Sequence, residues 1–191
     1  MIDMNAAFLN HRLRLAARVI ANGGVIAYPT EAVFGLGCDP WDGEAVARVL
    51  ALKRRDPAKG LILIAAEPIQ LLPFVVDLPS VRMAEILASW PGPNTWLMPV
   101  RPRTPDWLTG RFDTLAVRVT AHPLAAGLCR AYGGAIVSTS ANIAERPPAR
   151  SALGARLALP GGPDLILGGA CVGAGRPSMI RDGCTGRVLR A

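Results

Sequence analysis

The chain has 191 residues, 51% of them hydrophobic and 18% charged, with a formal net charge of +7. A single domain over residues 1–191 is expected; at this length a chain buries roughly 70% of its unfolded surface and needs no metal or disulfide to hold a core. The composition excludes disorder, no apolar run approaches the ~18 residues of a membrane span, and the positive balance favours an anionic partner such as a nucleotide or nucleic acid.

Apolar residues at helical spacing with arginines between them predict a first amphipathic helix over residues 5 to 21, stopped by Gly23 and Gly24. The segment lacks a signal-type apolar region, so a cytoplasmic location without a membrane partner is expected. Val25 to Tyr28 reads as a short strand ended by Pro29, and Tyr28 to Gly37 as a strand end followed by a glycine-spaced turn. Asp42 is placed to cap a helix running to about Arg54, with Ala45, Val46, Val49, Leu50 and Leu52 inward. Leu61 to Ala65 is wholly apolar and predicts a central strand. Helical segments follow near 68–73 and 79–89, then a proline-rich turn into a strand, a strand over 115–119, and a helix opened by Pro123. Ala135 to Ser138 is a strand running into Ser-Thr-Ser-Ala-Asn. A helix near 151–158 and strands near 164–167 and 186–190 complete the chain, with Gly161–Gly175 the expected flexible stretch. The irregular alternation predicts an α/β fold with a mixed sheet.

Cys38, Cys129, Cys171 and Cys184 show no C-x-x-C spacing, and the histidines are His11 and His122 alone. Reduced thiols and no protein-held transition metal are expected. Nineteen of the 21 basic residues are arginine, while the two lysines, Lys53 and Lys59, lie six residues apart in one basic cluster with Arg54 and Arg55. That cluster reads either as a phosphate clamp or as cations compensating a helix C-terminus. No Walker loop is present. Arg118 interrupts the apolar strand Leu115–Val119; it either faces a partner or lies on a solvated alternate face. Ser138 to Asn142 offers a run of neutral donors and acceptors suited to a nucleotide or amino acid, or simply a turn.

Taken together and in order, YPTEAVFGLG, the K-x-R of Lys53 and Arg55, KGLILIA, WPGP, LTGRFDTLAVRVT and STSAN resemble the YrdC/TsaC threonylcarbamoyl-adenylate synthases, from about Val25 to Arg190. The resemblance implies an open, twisted mixed sheet with flanking helices and a large basic concave cavity. It implies a reaction joining L-threonine, bicarbonate or CO2, and ATP into threonylcarbamoyl-AMP and pyrophosphate, with Mg2+ carried on the ATP. The product would pass to a tRNA threonylcarbamoyl-transferase complex. The residues it implicates are Lys53, Arg55, Ser140 and Asn142 as catalytic; those four with Lys59 and Arg190 for ATP; and Arg118, Ser138, Ser178 and Thr30 for threonine. Tyr28 is expected on the cavity wall. Many relatives carry threonine where this chain has Ala32 and histidine near Ile64, so altered threonine contacts are expected.

Two other readings stay open on the residues alone. A nucleic-acid-binding module, or weak RNA binding beside catalysis, is compatible with the charge, although aromatics are only 5% of the chain and stacking platforms need them. A carbamoyl-adenylate enzyme of hydrogenase maturation would carry further domains that this chain does not have.

Overall fold

The structure is a computed structural model that describes residues 4–173 and 178–191. Its strands are β1 (Ile26–Pro29), β2 (Phe34–Gly37), β3 (Ile62–Ala65), β4 (Asn94–Pro99), β5 (Thr114–Val119), β6 (Ile136–Ser140), β7 (Leu165–Ile166), β8 (Met179–Asp182) and β9 (Val188–Arg190). Its α-helices are α1 (Met4–Ala21), α2 (Gly43–Lys53), α3 (Ser80–Ala88), α4 (Asp106–Thr109), α5 (Pro123–Tyr132) and α6 (Ala152–Ala158). The strands form one sheet in the order β7-β1-β2-β6-β3-β5-β4-β8-β9. The β1–β7, β3–β5 and β4–β8 pairs are parallel and the other neighbours antiparallel. The mixed α/β sheet is therefore as the sequence predicts, with the apolar β3 at its centre.

Local chemistry accounts for most boundaries. The Asp42 carboxylate accepts from the Glu44 and Ala45 amides, satisfying donors that the first turn of α2 would leave open. Arg54 closes the same helix in a left-handed conformation, φ 49°. His122 caps α5 just ahead of Pro123. The segment predicted helical over 68–73 forms only a 3₁₀ turn at Pro68–Gln70, because Pro73 arrives before a second turn can form.

The glycine-spaced turn expected after Pro29 is corrected: residues 34–37 are strand β2. Phe34 and Leu36 fill one face, and the glycines occupy the other because larger residues would not fit. A Cβ at Gly37 would lie 2.3 Å from the Val137 carbonyl oxygen. Part of the predicted flexible stretch, residues 174 and 175, lies outside the described residues.

The sheet separates two apolar layers. On one face Phe34, Leu36, Leu63, Trp96, Val117 and Val137 pack with the inward side of α2. On the other, Ile26, Tyr28, Ile64 and Ile136 pack beneath α1 and α5. Those two helices cover only part of that second face. Side chains alternate along a strand, so Ile62, Ser138, Ser140, Gly35 and Arg118 share the face with Ile64, Ile136 and Tyr28 through the registers Ile62↔Ser138, Gly35↔Ser140 and Ile64↔Arg118. The uncovered part of the face is where a cavity opens.

Candidate functional site

The cavity has a volume of about 600 Å³. Its floor is the open sheet face, with Gly35, Ile62, Ser138 and Ser140; its walls bring in Thr30 and Glu31 after β1, Arg55 after α2, Arg118 from β5, and Ser178 and Arg190 from the C-terminal strands. Four arginines (Arg55, Arg118, Arg150 and Arg190) and one carboxylate, Glu31, line it among the described residues. A side compartment of about 200 Å³ shares Arg55 and Arg190 with it and adds Lys59 and Phe112.

Arg118 is 8% exposed, so the solvated-face reading of this strand position fails. Leu115, Val117 and Val119 do face the core, as alternation predicts. The guanidinium turns to the cavity side, where its Nη1 lies 2.9 Å from Glu31 Oε2. Glu31 is itself held: its Oε1 accepts from the Thr120 hydroxyl at 2.8 Å and the Ala121 amide at 3.0 Å. Burial works against the charged form of Glu31, but the Arg118 charge and these hydrogen bonds outweigh it and keep the carboxyl below its ordinary range. Arg118 Nε is buried without a hydrogen-bond partner.

The basic cluster divides by position. Arg55 reaches the wall and donates through Nη2 to the Gly60 carbonyl at 2.9 Å, its Nε left without a partner. Burial lowers its affinity for the proton, with Asp56 pulling the other way. Lys59 is exposed at the rim of the side compartment. Lys53 is 2% exposed and is not among the lining residues of the cavity. Its ammonium donates to the carbonyls of Ser140 and Asn142, the latter at 2.9 Å, and to Asn142 Oδ1 at 3.3 Å. Burial, with the nearby Arg55 charge, brings the Lys53 pKa down to about 8. Asn142 is turned the same way: its Nδ2 donates to the Ile143 and Arg146 carbonyls. Lys53 and Asn142 thus tie the end of α2 to the loop after β6, behind the wall that Ser140 faces.

The remaining predicted residues fall as follows. Thr30, Ser138, Ser140, Ser178 and Arg190 all line the cavity. The Ser178 hydroxyl lies 2.9 Å from the Thr95 hydroxyl, and its carbonyl accepts from Arg190 Nη2 at 2.8 Å. Tyr28, expected on the wall, is fully buried instead: its ring fills the space over Gly35 and Gly37, and burial pushes its phenol up. Ala32 is on the wall, whereas Ile64 is buried in the layer under α5. Sequence reasoning assigned no role to Glu31 or Arg150. Glu31 sat inside a recognised segment, and the signal missed was a carboxylate at a strand end with a lone arginine elsewhere in an apolar strand.

An open face on an α/β sheet, edged by hydroxyls and guanidiniums at strand ends, is the setting in which α/β domains bind their ligands. The chain belongs to the Sua5/YciO/YrdC family, whose model, described as telomere recombination, matches residues 18–191. It is 56% identical over 181 residues to threonylcarbamoyl-AMP synthase of Nitrosococcus oceani, covering 95% of this chain and 98% of that one. Its fold matches P. abyssi Sua5 complexed with L-threonine at a TM-score of 0.84 and 35% identity, over 91% of this chain; this chain spans about half the length of that protein, 51%. It also matches E. coli YciO at a TM-score of 0.81 and 25% identity, over 95% of this chain and 89% of that one.

Proposed function

We infer that this chain is a threonylcarbamoyl-AMP synthase, a nucleotidyltransferase that forms L-threonylcarbamoyladenylate and pyrophosphate from L-threonine, bicarbonate or CO2, and ATP. The observation that carries the reading is the content of one cavity. Guanidiniums and hydroxyls converge there, and the described lining includes no histidine, cysteine or lysine. Such a wall suits a reaction in which a substrate supplies the nucleophile. The threonine amine adds to CO2 and loses a proton, giving a carbamate anion. A carbamate oxygen then attacks the α-phosphorus, the bond to the β-phosphate oxygen breaks, and pyrophosphate leaves. The protein's task is to hold two anions in line and to stabilise phosphate charge.

In this reading Arg118 takes the threonine carboxylate as a forked donor, with Thr30, Ser138 and Ser178 beside it. Arg55 and Arg190 take the phosphates, with Lys59 at the rim of the side compartment. Ser140 meets the nucleotide directly. Lys53 and Asn142 act as positioning residues through the loop that carries Ser140. Mg2+ enters on the ATP phosphates, since Glu31, the carboxylate on the wall, is committed to Arg118. Among the described residues no group of three or more His, Cys, Asp or Glu comes together to hold a metal ion, and no helix is long and apolar enough to cross a membrane. The adenylate passes in the cytoplasm to a tRNA threonylcarbamoyl-transferase complex. The test is incubation with ATP, L-threonine and bicarbonate followed by mass detection of the adenylate. Its appearance supports the reading, and AMP or ADP alone would refute it.

A further inference from the structure

The cations of the cavity are not electrically equivalent. Arg118 is paired with Glu31 at 2.9 Å. Arg55 and Arg190 donate to the neutral main-chain carbonyls of Gly60 and Ser178, and among the described residues neither lies within ion-pair distance of a carboxylate. Arg55 and Arg118 are also separated, with Arg190 between them, reaching the side compartment while bonded to Ser178. Arg55 is tied to Gly60, just before β3, while Arg118 sits across from Ile64 further along the same strand. The backbone points they are held at, Gly60 and Ile64, lie at most about 13 Å apart at ~3.3 Å per extended residue. The Arg55 side therefore presents positive charge that Asp56 offsets in part but no carboxylate pairs, and Arg190 and Lys59 extend it along the side compartment. The other presents a guanidinium whose net charge is cancelled but whose Nε still lacks a partner.

We propose that Glu31 is the specificity-determining residue that reserves the Arg118 end for a singly charged carboxylate and excludes polyphosphate from it. A polyphosphate gains most where positive charge is unbalanced, and it is repelled by a fixed carboxylate. An amino-acid carboxylate asks less of the field and more of geometry, and the Glu31 charge, placed by Thr120 and Ala121 through its Oε1, sits beside Arg118 Nη1 and leaves the Nε side of the guanidinium open for a hydrogen bond. Without the carboxylate, Arg118 joins Arg55 and Arg190 as a cation that no carboxylate pairs, and the contrast between the two ends is lost. ATP and pyrophosphate would then occupy the amino-acid end and block it.

The inference rests on the synthase reading, and the test separates the two. L-threonine binding is measured by calorimetry with and without inorganic pyrophosphate, on wild type, Glu31→Gln and Glu31→Asp, with folding followed by thermal melts. Wild type and Glu31→Asp are expected to bind threonine with little change when pyrophosphate is present. In Glu31→Gln the apparent threonine Kd is expected to rise about tenfold with pyrophosphate, as one unit of local charge is exposed. Glu31→Ala gives the same reading should the glutamine variant not fold. Equal behaviour of all variants, competition already present in wild type, or failure of both neutral variants to fold would each overturn the charge-division role. A wild type that releases no pyrophosphate with ATP, threonine and bicarbonate would instead defeat the synthase reading.

Discussion

Arg118 interrupts a strand whose alternate positions all enter the core, and a cation at 8% exposure persists there only with a partner. Glu31 is the internal partner; the proposed threonine carboxylate is the second. Arg118→Lys keeps the charge and loses the planar fork, since an ammonium is a point donor. The threonine KM is expected to rise by about tenfold or more while the ATP KM stays near wild type, the pattern of lost ground-state binding. Steady-state kinetics with each substrate varied separately checks it, and wild-type values for both would remove Arg118 from the threonine site. Lys53 makes a different prediction. Its ammonium spans two main-chain carbonyls and Asn142 Oδ1, and its pKa lies near 8 against an ordinary 10.5. Below about pH 8 the charged form ties the loop; above it the amine has too few hydrogens for its acceptors. Turnover should fall above pH 8 in wild type, and the fall should be absent in Lys53→Met, whose rate is low at every pH. Stability runs the other way. Because the folded pKa is depressed, the unfolded chain binds more protons between about 8 and 10.5, so stability against denaturant rises with pH across that window.

At the scale of elements, β2 shows what was hidden in the sequence. Phe34-Gly-Leu-Gly reads as a turn by its glycines, yet its period of two is that of a strand, here buried at all four positions. The glycines are demanded by neighbours distant in sequence: the Tyr28 ring over Gly35 and Gly37, and the Val137 carbonyl against Gly37. Gly37→Ala would force β2 away from β6 and disturb the floor on which Ser140 stands. Overpacking of this kind costs about 1–3 kcal/mol. Urea denaturation is expected to show a loss of that order, with a lower rate of adenylate formation; full wild-type stability would mean the close approach is not a constraint. Elements with local signals were legible: α2 from its Asp42 cap, α5 from Pro123, β3 from its unbroken apolar run. Strand β8 and the short helix α4 were not, because Met179–Asp182 has no alternation of its own and Asp106–Thr109 is a single turn.

For the whole molecule, the sequence made the mixed sheet legible but not its strand order. The site depends on that order: β6 lies between β2 and β3, which brings Ser138 and Ser140 beside Gly35 and Ile62, and β3 then sets Arg118 alongside. The family resemblance supplied the residues; only the sheet shows that Thr30, Ser138, Arg118, Arg55 and Arg190 face one space while Lys53 and Asn142 stand behind its wall. It also shows why α1 and α5, packed over Ile26, Tyr28, Ile64 and Ile136, leave that space open.

That this cavity joins a carbamate made from threonine to the α-phosphate of ATP can be checked by pyrophosphate release with each substrate withheld in turn, using isotopically labelled bicarbonate. Release is expected only when threonine, bicarbonate and ATP are all present, with the label recovered in the adenylate in step with pyrophosphate. Equal release with ATP alone, or an adenylate without the label, would contradict it.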